Sequence, residues 1–221
     1  MTLSDPFVAF DLETTGVDPF SDVPVSYAIV QPGFDCVGLV NPGRKIPEGA
    51  SSIHGITDDH VKDSPLLADS VAFIVDTLNS LWQEGAIIVG MNVSYDLTMI
   101  DVLRRQLTNL SMPIGPILDV LVLDRHYDKW RKGKRNLTSL AKWYGVELTN
   151  AHSADADCYA CLEILTKMRG RYPFNFSLKD NFLLREWYRD WLSGYSTYQE
   201  GLGKDPIPKG RYEWPVHSAD A

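Results

Sequence analysis

The chain has 221 residues, of which 44% are hydrophobic and 23% are charged. This length and composition are typical of one folded domain, or of one domain with an elaborated tail, and they exclude a largely disordered or collagen-like chain. The net charge of −8 argues against a nucleic-acid partner unless the acidic residues hold metal ions.

The sequence also carries signals of location. No apolar run approaches the roughly 18 residues of a membrane-spanning helix, so we expect no membrane association. Met1–Asp5 lacks the basic start and the apolar core of a signal peptide. The three cysteines, Cys36, Cys158 and Cys161, are too few and too odd in number for a disulfide framework. We therefore predict a cytoplasmic protein.

Strands come first in the sequence and then alternate with helices, which predicts an α/β fold with a central mixed sheet flanked by helices. The predicted strands are Phe7–Leu12, Val25–Val30, Cys36–Val40, Ala86–Gly90 and Ile117–Leu123. The predicted helices are Pro65–Gln83, Ser94–Leu107 with Ser94 as its N-cap, Asn136–Tyr144 capped by Asn136, Ala154–Arg169 and Ser177–Ser193. Asn41–Pro65 carries many glycine and proline residues and is predicted to be a loop.

The end of the chain is predicted to extend the main domain. We place that domain at residues 1–175 and a C-terminal helix with an extended tail at residues 176–221. Gly201–Ala221 is rich in glycine and proline, which predicts extended structure. Large aromatic residues at helical spacing, among them Trp187 and Trp191, favour packing of the C-terminal helix onto the body over a partner surface.

Acidic residues occupy positions that the hydrophobic pattern otherwise reserves for the interior. In the first predicted strand both faces are apolar, and Asp11 and Glu13 follow on one face at its C-terminal end. Two carboxylates this close repel each other unless a cation lies between them. A D-x-E pair also occurs on many solvent-exposed strands, so the pair by itself leaves both interpretations open.

Two predicted helices repeat this feature. Asp96 heads an apolar stripe that Ile100 and Leu103 continue, and Asp157 heads the stripe of Cys161. An acid in the first turn also stabilises a helix through the helix dipole. That effect explains one such residue well, but it does not explain inward acids on two helices and a strand together.

Four carboxylates that converge in an interior require compensating charge. No basic residue lies in their motifs. Divalent cations that prefer oxygen ligands, Mg²⁺ or Mn²⁺, are the natural solution. The predicted metal ligands are Asp11, Glu13, Asp96 and Asp157. Zinc is disfavoured because Cys158 and Cys161 form a single C-x-x-C pair inside one helix.

His152 precedes Asp157 by five residues, which on a continuous helix is a separation of about 140°. The two side chains converge only if His152 lies in the loop before the helix, a position that suits proton transfer above a metal site. A histidine on a surface loop is the plainer interpretation of this residue alone. Asp155 is a rival to Asp157 as a metal ligand, but it falls off the apolar stripe.

Positive charge is concentrated in Arg125–Arg135. The basic residues of this segment are Arg125, Lys129, Arg131, Lys132, Lys134 and Arg135. Tyr127 and Trp130 interleave with them, a combination that suits single-stranded nucleic acid through phosphate pairing and base stacking. A solvated basic loop is the alternative, and the sequence does not decide between the two.

Three motifs carry a resemblance to a known family. FDLETTG at Phe10–Gly16, NVSYD at Asn92–Asp96 and HSADAD at His152–Asp157 resemble the motifs of the DEDDh, or DnaQ-like, 3′–5′ exonucleases. That family includes the proofreading epsilon subunits of bacterial DNA polymerases. IHGIT at Ile53–Thr57 and the ILDVLVL stretch with Asp119 are also similar, so the resemblance spans roughly residues 5–170. The tail more loosely resembles actinobacterial and actinophage members.

The resemblance implies a ribonuclease-H-like fold and stepwise removal of nucleotides from a single-stranded or frayed 3′ end of DNA. It implies two divalent cations, Mg²⁺ or Mn²⁺, held by the four carboxylates, with His152 as the general base. The residues that it implies in substrate contacts are Leu12, Thr14, Thr15, His54, Ile56, Asn92 and Tyr95. Met91 and Tyr95 replace the histidine and phenylalanine common in the family, which affects substrate contacts rather than the acids.

Other functions share these motifs. An exoribonuclease of the same family would carry every one of them, so RNA is an alternative substrate, and a DNA polymerase is a candidate partner. A non-catalytic nucleic-acid-binding or polymerase-tethering module on the same fold is disfavoured, because all four acids and the histidine are present.

Overall fold

A computed structural model of the protein describes residues 6–148, 153–172 and 180–219. Its strands are β1 (Phe7–Thr14), β2 (Pro24–Gln31), β3 (Phe34–Leu39), β4 (Ile87–Gly90) and β5 (Ile117–Asp119). Within these residues they form one sheet in the order β3-β2-β1-β4-β5. The β1–β2 and β2–β3 pairs are antiparallel, whereas β1–β4 and β4–β5 are parallel. The predicted mixed sheet is thus confirmed.

Helices cover this sheet. They are α1 (Glu48–His54), α2 (Asp58–Val61), α3 (Leu67–Gln83), α4 (Val93–Thr108), α5 (Val120–Tyr127), α6 (Leu137–Tyr144), α7 (Ala154–Arg171) and α8 (Asp180–Gly201), followed by a 3₁₀ turn at Lys209–Tyr212. Helix α7 packs across β1 and β2, while α3 packs on β4 and α4 on β1. No helix in the described part of the chain is both long and apolar enough to cross a membrane.

Strand β1 is central because it is apolar on both faces. Val8, Ala9 and Phe10 are all at most 1% exposed. Ala9 lies in a cluster with Ala154 and Cys158 at the start of α7, and Phe10 lies in the main core. Since side chains alternate along a strand, the residues two and four positions after Ala9 share the face that packs on α7.

The strand predicted at Ile117–Leu123 is wrong beyond Asp119, where β5 ends and α5 begins. The Asp119 carboxylate accepts hydrogen bonds from the backbone N–H groups of Leu121 and Val122 and so caps the new helix. Apart from Asp119 the run is apolar, and all of it is buried, so that its periodicity does not distinguish strand from helix.

Two further predictions are corrected. The predicted loop Asn41–Pro65 contains α1 and α2. Helix α1 has no buried residue, so it leaves no hydrophobic period in the sequence. The predicted N-cap Ser94 is fully buried inside α4, which begins one residue earlier with Asn92 as its cap residue.

The C-terminal helix α8 continues to Gly201, well past the predicted end at Ser193. The predicted start at Ser177 lies outside the described residues. Leu184, Tyr188 and Leu192 are buried in the main core. The tail after α8 docks through Trp214, which is 5% exposed. This packing agrees with the expectation that the aromatic helix lies on the body.

Candidate active site

Three of the four predicted acids meet at the C-terminal end of β1. Asp11 and Glu13 lie on the face that packs on α7, and Asp157 lies in the first turn of that helix. Carboxylate oxygens of these three residues lie within 4.8 Å of one another. We call this group the acid triad.

Asp96, in the first turn of α4, adjoins the acid triad without being a member of it. Its side chain is buried, with 5% of the residue exposed. The backbone N–H groups of Leu12 and of Asp96 itself donate hydrogen bonds to its carboxylate. The charge of Asp96 acts directly on Asp11, where it raises the pKa. The fourth predicted ligand therefore stands beside the other three.

Burial and, after it, crowding of like charge raise the pKa values of these acids. Burial, followed by the carboxylates of Asp96, Asp157 and Glu13, raises the pKa of Asp11. Burial and then Asp157 raise the pKa of Glu13 to about 7. Burial also raises the pKa of Asp96, although its backbone hydrogen bonds partly oppose the rise. An uncompensated cluster of this kind fits bound cations, which favour the ionised form.

The donor atoms of this cluster fit a hard divalent cation. All of them are carboxylate oxygens, the ligand type preferred by Mg²⁺ and Mn²⁺. Cys158 and Cys161 are buried thiols whose pKa burial raises, and neither is part of the acid triad. Among the described residues, these two thiols therefore do not join the carboxylates in a mixed site of the kind that zinc prefers.

Asp119 positions this site, and sequence reasoning gave it no role. Its buried carboxylate accepts hydrogen bonds from the N–H groups of Asn92 at 3.0 Å and Val93 at 3.1 Å, in addition to those at the start of α5. Asn92 has a left-handed conformation, with φ of 59°. One side chain thus fixes the starts of two helices, one of which carries Asp96. The sequence feature that could have identified Asp119 is an acid within the otherwise apolar run Ile117–Leu123.

We expect Asp119→Ala to lower the free energy of unfolding by about 2–4 kcal/mol, because it leaves several buried N–H groups without an acceptor. Urea denaturation monitored by circular dichroism measures the change. The matched control is Asp59→Ala on α2, whose side chain is 91% exposed and which should change stability by less than about 0.5 kcal/mol. Equal stability of the two variants would contradict the role given to Asp119.

A turn after β1 closes one side of the site. The Tyr95 hydroxyl donates to the Gly16 carbonyl at 2.6 Å, and the Thr14 hydroxyl donates to the same oxygen at 2.7 Å. A Cβ at Gly16 would lie 2.5 Å from a carboxylate oxygen of Asp22, so a larger residue there would push that side chain away from its hydrogen bonds with Thr15 and Asp18. Tyr95 and Thr14 thus border the site.

Two of the predicted substrate contacts are used inside the fold. Thr15 is 3% exposed, and its hydroxyl donates to Asp22 while its N–H donates to the Val23 carbonyl. Neither group of Thr15 is open to a nucleotide in this conformation. Leu12 is 6% exposed, so it contributes its N–H to Asp96 rather than its side chain to a ligand.

A cavity of about 390 Å³ opens beside Glu13. His54 and Ile56, which lie at the end of α1 and just after it, line this cavity together with Asp155. The His54 ring is held by a hydrogen bond from the Ile56 N–H to its Nδ1 at 3.0 Å. The structure thus brings this loop to the acid triad. Asn92 is exposed and lines a separate cavity together with Tyr95.

The predicted general base, His152, lies outside the described residues. Asp155, the rival ligand, accepts a hydrogen bond from the Ser153 hydroxyl and is not a member of the acid triad. Among the described residues, Asp157 is therefore the acid that α7 contributes to the triad.

The basic segment is divided in its roles. Arg131 and Arg135 both form ion pairs with Asp124, which is fully buried and also accepts a hydrogen bond from the Tyr144 hydroxyl at 2.9 Å. These two arginines therefore hold the segment to the body, which corrects the interpretation of the whole stretch as a nucleic-acid patch. Other basic residues of the segment are exposed, namely Lys129, Lys132 and Lys134.

Comparison with known proteins identifies related chains. A family model described as "Exonuclease" matches residues 8–165. The chain is similar to the PolC-type DNA polymerase III of Bacillus subtilis, with 30% identity over 169 residues, and to that of Lacticaseibacillus paracasei, with 33% identity over 186 residues. These matches cover 74% and 78% of this chain. The chain spans 11% and 12% of the two polymerases.

Solved structures show the same fold. E. coli exonuclease I in complex with a dA16 oligonucleotide superposes with a TM-score of 0.62 at 20% identity, over 90% of this chain and 45% of that one. Exonuclease X in complex with 5′-overhanging duplex DNA gives a TM-score of 0.54 at 23% identity, over 76% of this chain and 94% of that one. The ribonuclease-H-like fold expected from the motifs is confirmed.

Proposed function

Because the chain belongs to the DnaQ-like exonuclease family, we propose that it is a metal-dependent nuclease that removes nucleotides from the 3′ end of DNA. The observation that carries this proposal is the acid triad with Asp96 beside it, at the end of a strand that is otherwise apolar on both faces. A binding module without catalysis has no need of such a cluster, which destabilises the fold through charge repulsion.

The acids of the site would hold the metal. Asp11, Glu13 and Asp157 offer converging oxygens, and Asp96 completes the set. Two divalent cations, Mg²⁺ or Mn²⁺, would when bound activate the attacking water and stabilise the departing 3′ oxygen. In the absence of cations the crowded carboxylates retain protons, as the raised pKa of Glu13 indicates.

We assign the general base to His152 from the sequence motif. With an ordinary pKa near 6.5, a histidine is mostly neutral at pH 7–8 and accepts the proton of the attacking water. A new phosphorus–oxygen bond then forms as the bond to the 3′ oxygen breaks, and the departing 3′ oxygen takes up a proton from solvent to become a hydroxyl. The products are a nucleoside 5′-monophosphate and a strand shortened by one nucleotide.

The cavity beside Glu13 is the proposed site of the terminal nucleotide. Its volume of about 390 Å³ lies within the range of small-molecule sites. Ile56 offers an apolar surface in this cavity, and Thr14, which follows Glu13 in the chain, contacts the Tyr95 hydroxyl. Asn92 is proposed to contact the strand just outside the metal site.

The partner is proposed to be a DNA polymerase, with proofreading or repair as the context. The relatives quoted above are polymerases that contain a segment similar to this chain. We propose residues 1–175 as the nuclease domain and residues 176–221 as its extension. An exoribonuclease is the second candidate, since the site does not distinguish the two sugars.

The deciding experiment incubates the purified chain with 5′-labelled single-stranded DNA, mismatched duplex DNA and RNA, each with Mg²⁺ or Mn²⁺. The proposal expects a ladder of labelled DNA products that shorten from the 3′ end. Immediate release of labelled mononucleotide would show that the enzyme degrades DNA from the 5′ end, which would contradict the proposed polarity. A ladder on RNA alone would support the exoribonuclease, and intact strands under all conditions would overturn the proposal.

A further inference from the structure

Helix α8 presents two different faces. Leu184, Tyr188 and Leu192 point into the main core. Trp187, Trp191, Tyr195 and Tyr198 follow at helical spacing and line a cavity, while Trp187 and Trp191 also pack against the edge of the core. Residues 180–201 lie beyond the segment matched by the exonuclease family model, which ends at residue 165. This second face is therefore a feature that the family match does not cover.

The cavity lies between α5, the segment after α5, and α8, and its volume is about 640 Å³. We call it the aromatic groove. Its principal walls are Arg125, Trp130, Trp187, Trp191, Tyr195 and Tyr198. The most exposed walls are Trp130, at 85%, and Tyr198, at 63%, and we call the part of the groove that they form its outer end. Core packing explains the inner aromatic residues but not these two.

The aromatic rings in the groove already form stacks. The Arg125 guanidinium lies 3.2 Å from the centroid of the Trp191 ring, whose other neighbour, Tyr195, is nearly parallel to it at 5.3 Å. The His126 ring stacks on Trp187 at 3.7 Å. These contacts hold the inner rings flat and cover their faces, so the exposed rings, Trp130 and Tyr198, are the ones on which nucleic-acid bases can stack without sequence preference.

The charge of the groove is complementary to a phosphate backbone. Lys129 is exposed at its wall, and Asp190 is the acid among the lining residues that the structure describes. Arg135 also lines it but is held by Asp124. The Arg125 guanidinium, which lies against the Trp191 ring, adds a further positive charge to the groove wall. The groove thus offers cations beside stacking rings.

The groove adjoins residues that border the proposed active site. A second cavity, of about 450 Å³, shares Arg125 and Trp191 with it and extends to Asn92 and Tyr95. Tyr95 contacts Thr14 at the end of β1. The aromatic face of α8 from Trp187 to Tyr198 is about 16 Å long, enough for about four or five stacked nucleotides.

We propose that the aromatic groove binds the single-stranded DNA that lies upstream of the 3′ terminal nucleotide, with Trp130 and Tyr198 stacking on bases at its outer end. This proposal rests on the proposed nuclease function, because it supplies the path of the same substrate. A strand anchored several nucleotides from the cleaved bond stays bound after each cut, so the groove favours repeated cleavage of one strand.

The test measures binding of 5′-fluorescein-labelled oligothymidylates of four and twelve nucleotides by fluorescence anisotropy, with Ca²⁺ in place of Mg²⁺ to prevent cutting. The double variant Trp130→Ala, Tyr198→Ala should weaken binding of the twelve-mer about ten-fold or more, given the strength of base stacking. Its affinity for the four-mer should change less than two-fold. Phe182→Ala, a 58% exposed aromatic residue of α8 outside the groove, is the matched control.

The possible outcomes distinguish failure of the groove proposal from failure of the proposed nuclease function. If wild-type protein degrades DNA and the double variant binds the twelve-mer as tightly as wild type, the groove proposal is overturned while the nuclease stands. If, in that case, size-exclusion chromatography shows a dimer that the double variant loses, the aromatic face is a contact between copies of the chain. If wild-type protein neither binds nor cuts DNA, both proposals fail.

Discussion

Asp11→Asn should abolish DNA degradation and, in the presence of EDTA, raise the stability of the protein. Asp11 is the acid on which the charges of Asp96, Asp157 and Glu13 all act. Removing its charge relieves that repulsion, so we expect the free energy of unfolding of the metal-free protein to rise by about 1 kcal/mol at pH 8. The same change removes a ligand, so activity should fall by at least about 10³-fold.

The two readouts require different controls. Asp59→Asn changes the same kind of residue at a position that is 91% exposed, and it should alter neither activity nor stability. His152→Ala should lower kcat by about 10²–10⁴-fold but keep the thermal stabilisation by Mn²⁺, because we give this residue proton transfer and not metal binding. Asp11→Asn protein that still degraded DNA with Mg²⁺ would refute the assignment of the acids.

The acids were predictable because each of them breaks a strong pattern. Asp11 follows two apolar faces of a strand, and Asp157 heads an apolar stripe on a helix, so their direction follows from backbone periodicity alone. Periodicity does not say that the two elements meet. That step depends on α7 crossing β1, where small residues, Ala9 and Ala154, permit a close approach.

Other features around the site could not be predicted from the sequence pattern. Asp119 accepts from N–H groups of residues 27 and 26 positions earlier in the chain, and such long-range capping leaves no local spacing. The ion pairs of Arg131 and Arg135 with Asp124 could not be predicted for a related reason. A run of basic residues has the same sequence pattern whether its side chains face solvent or a buried carboxylate. Helix α1 was missed because it buries no side chain.

Removing divalent metal should stop DNA degradation completely and make the stability of the protein fall as the pH rises. The pKa of Glu13 is about 7 in the fold and lies near 4.5 in an unfolded chain. The folded protein therefore holds the proton over a range in which the unfolded chain has lost it. The contribution of Glu13 to stability is then fully present below about pH 4.5 and is lost as the pH rises through about 7, so that its contribution to ∂ΔG/∂pH is negative in between.

The expected decline from Glu13 is about 1–2 kcal/mol, allowing for the water that reaches its half-buried side chain. Urea denaturation in EDTA between pH 5 and pH 8 measures it. Mg²⁺ or Mn²⁺ should remove the decline, because binding favours the ionised carboxylates, and metal affinity should increase over the same pH range. Glu13→Gln, which lacks the titrating proton, is the control and should show a shallower slope in EDTA. A wild-type stability that is flat or rises with pH in EDTA would mean that the carboxylates do not repel one another, and the charge argument for a metal site would lose its basis.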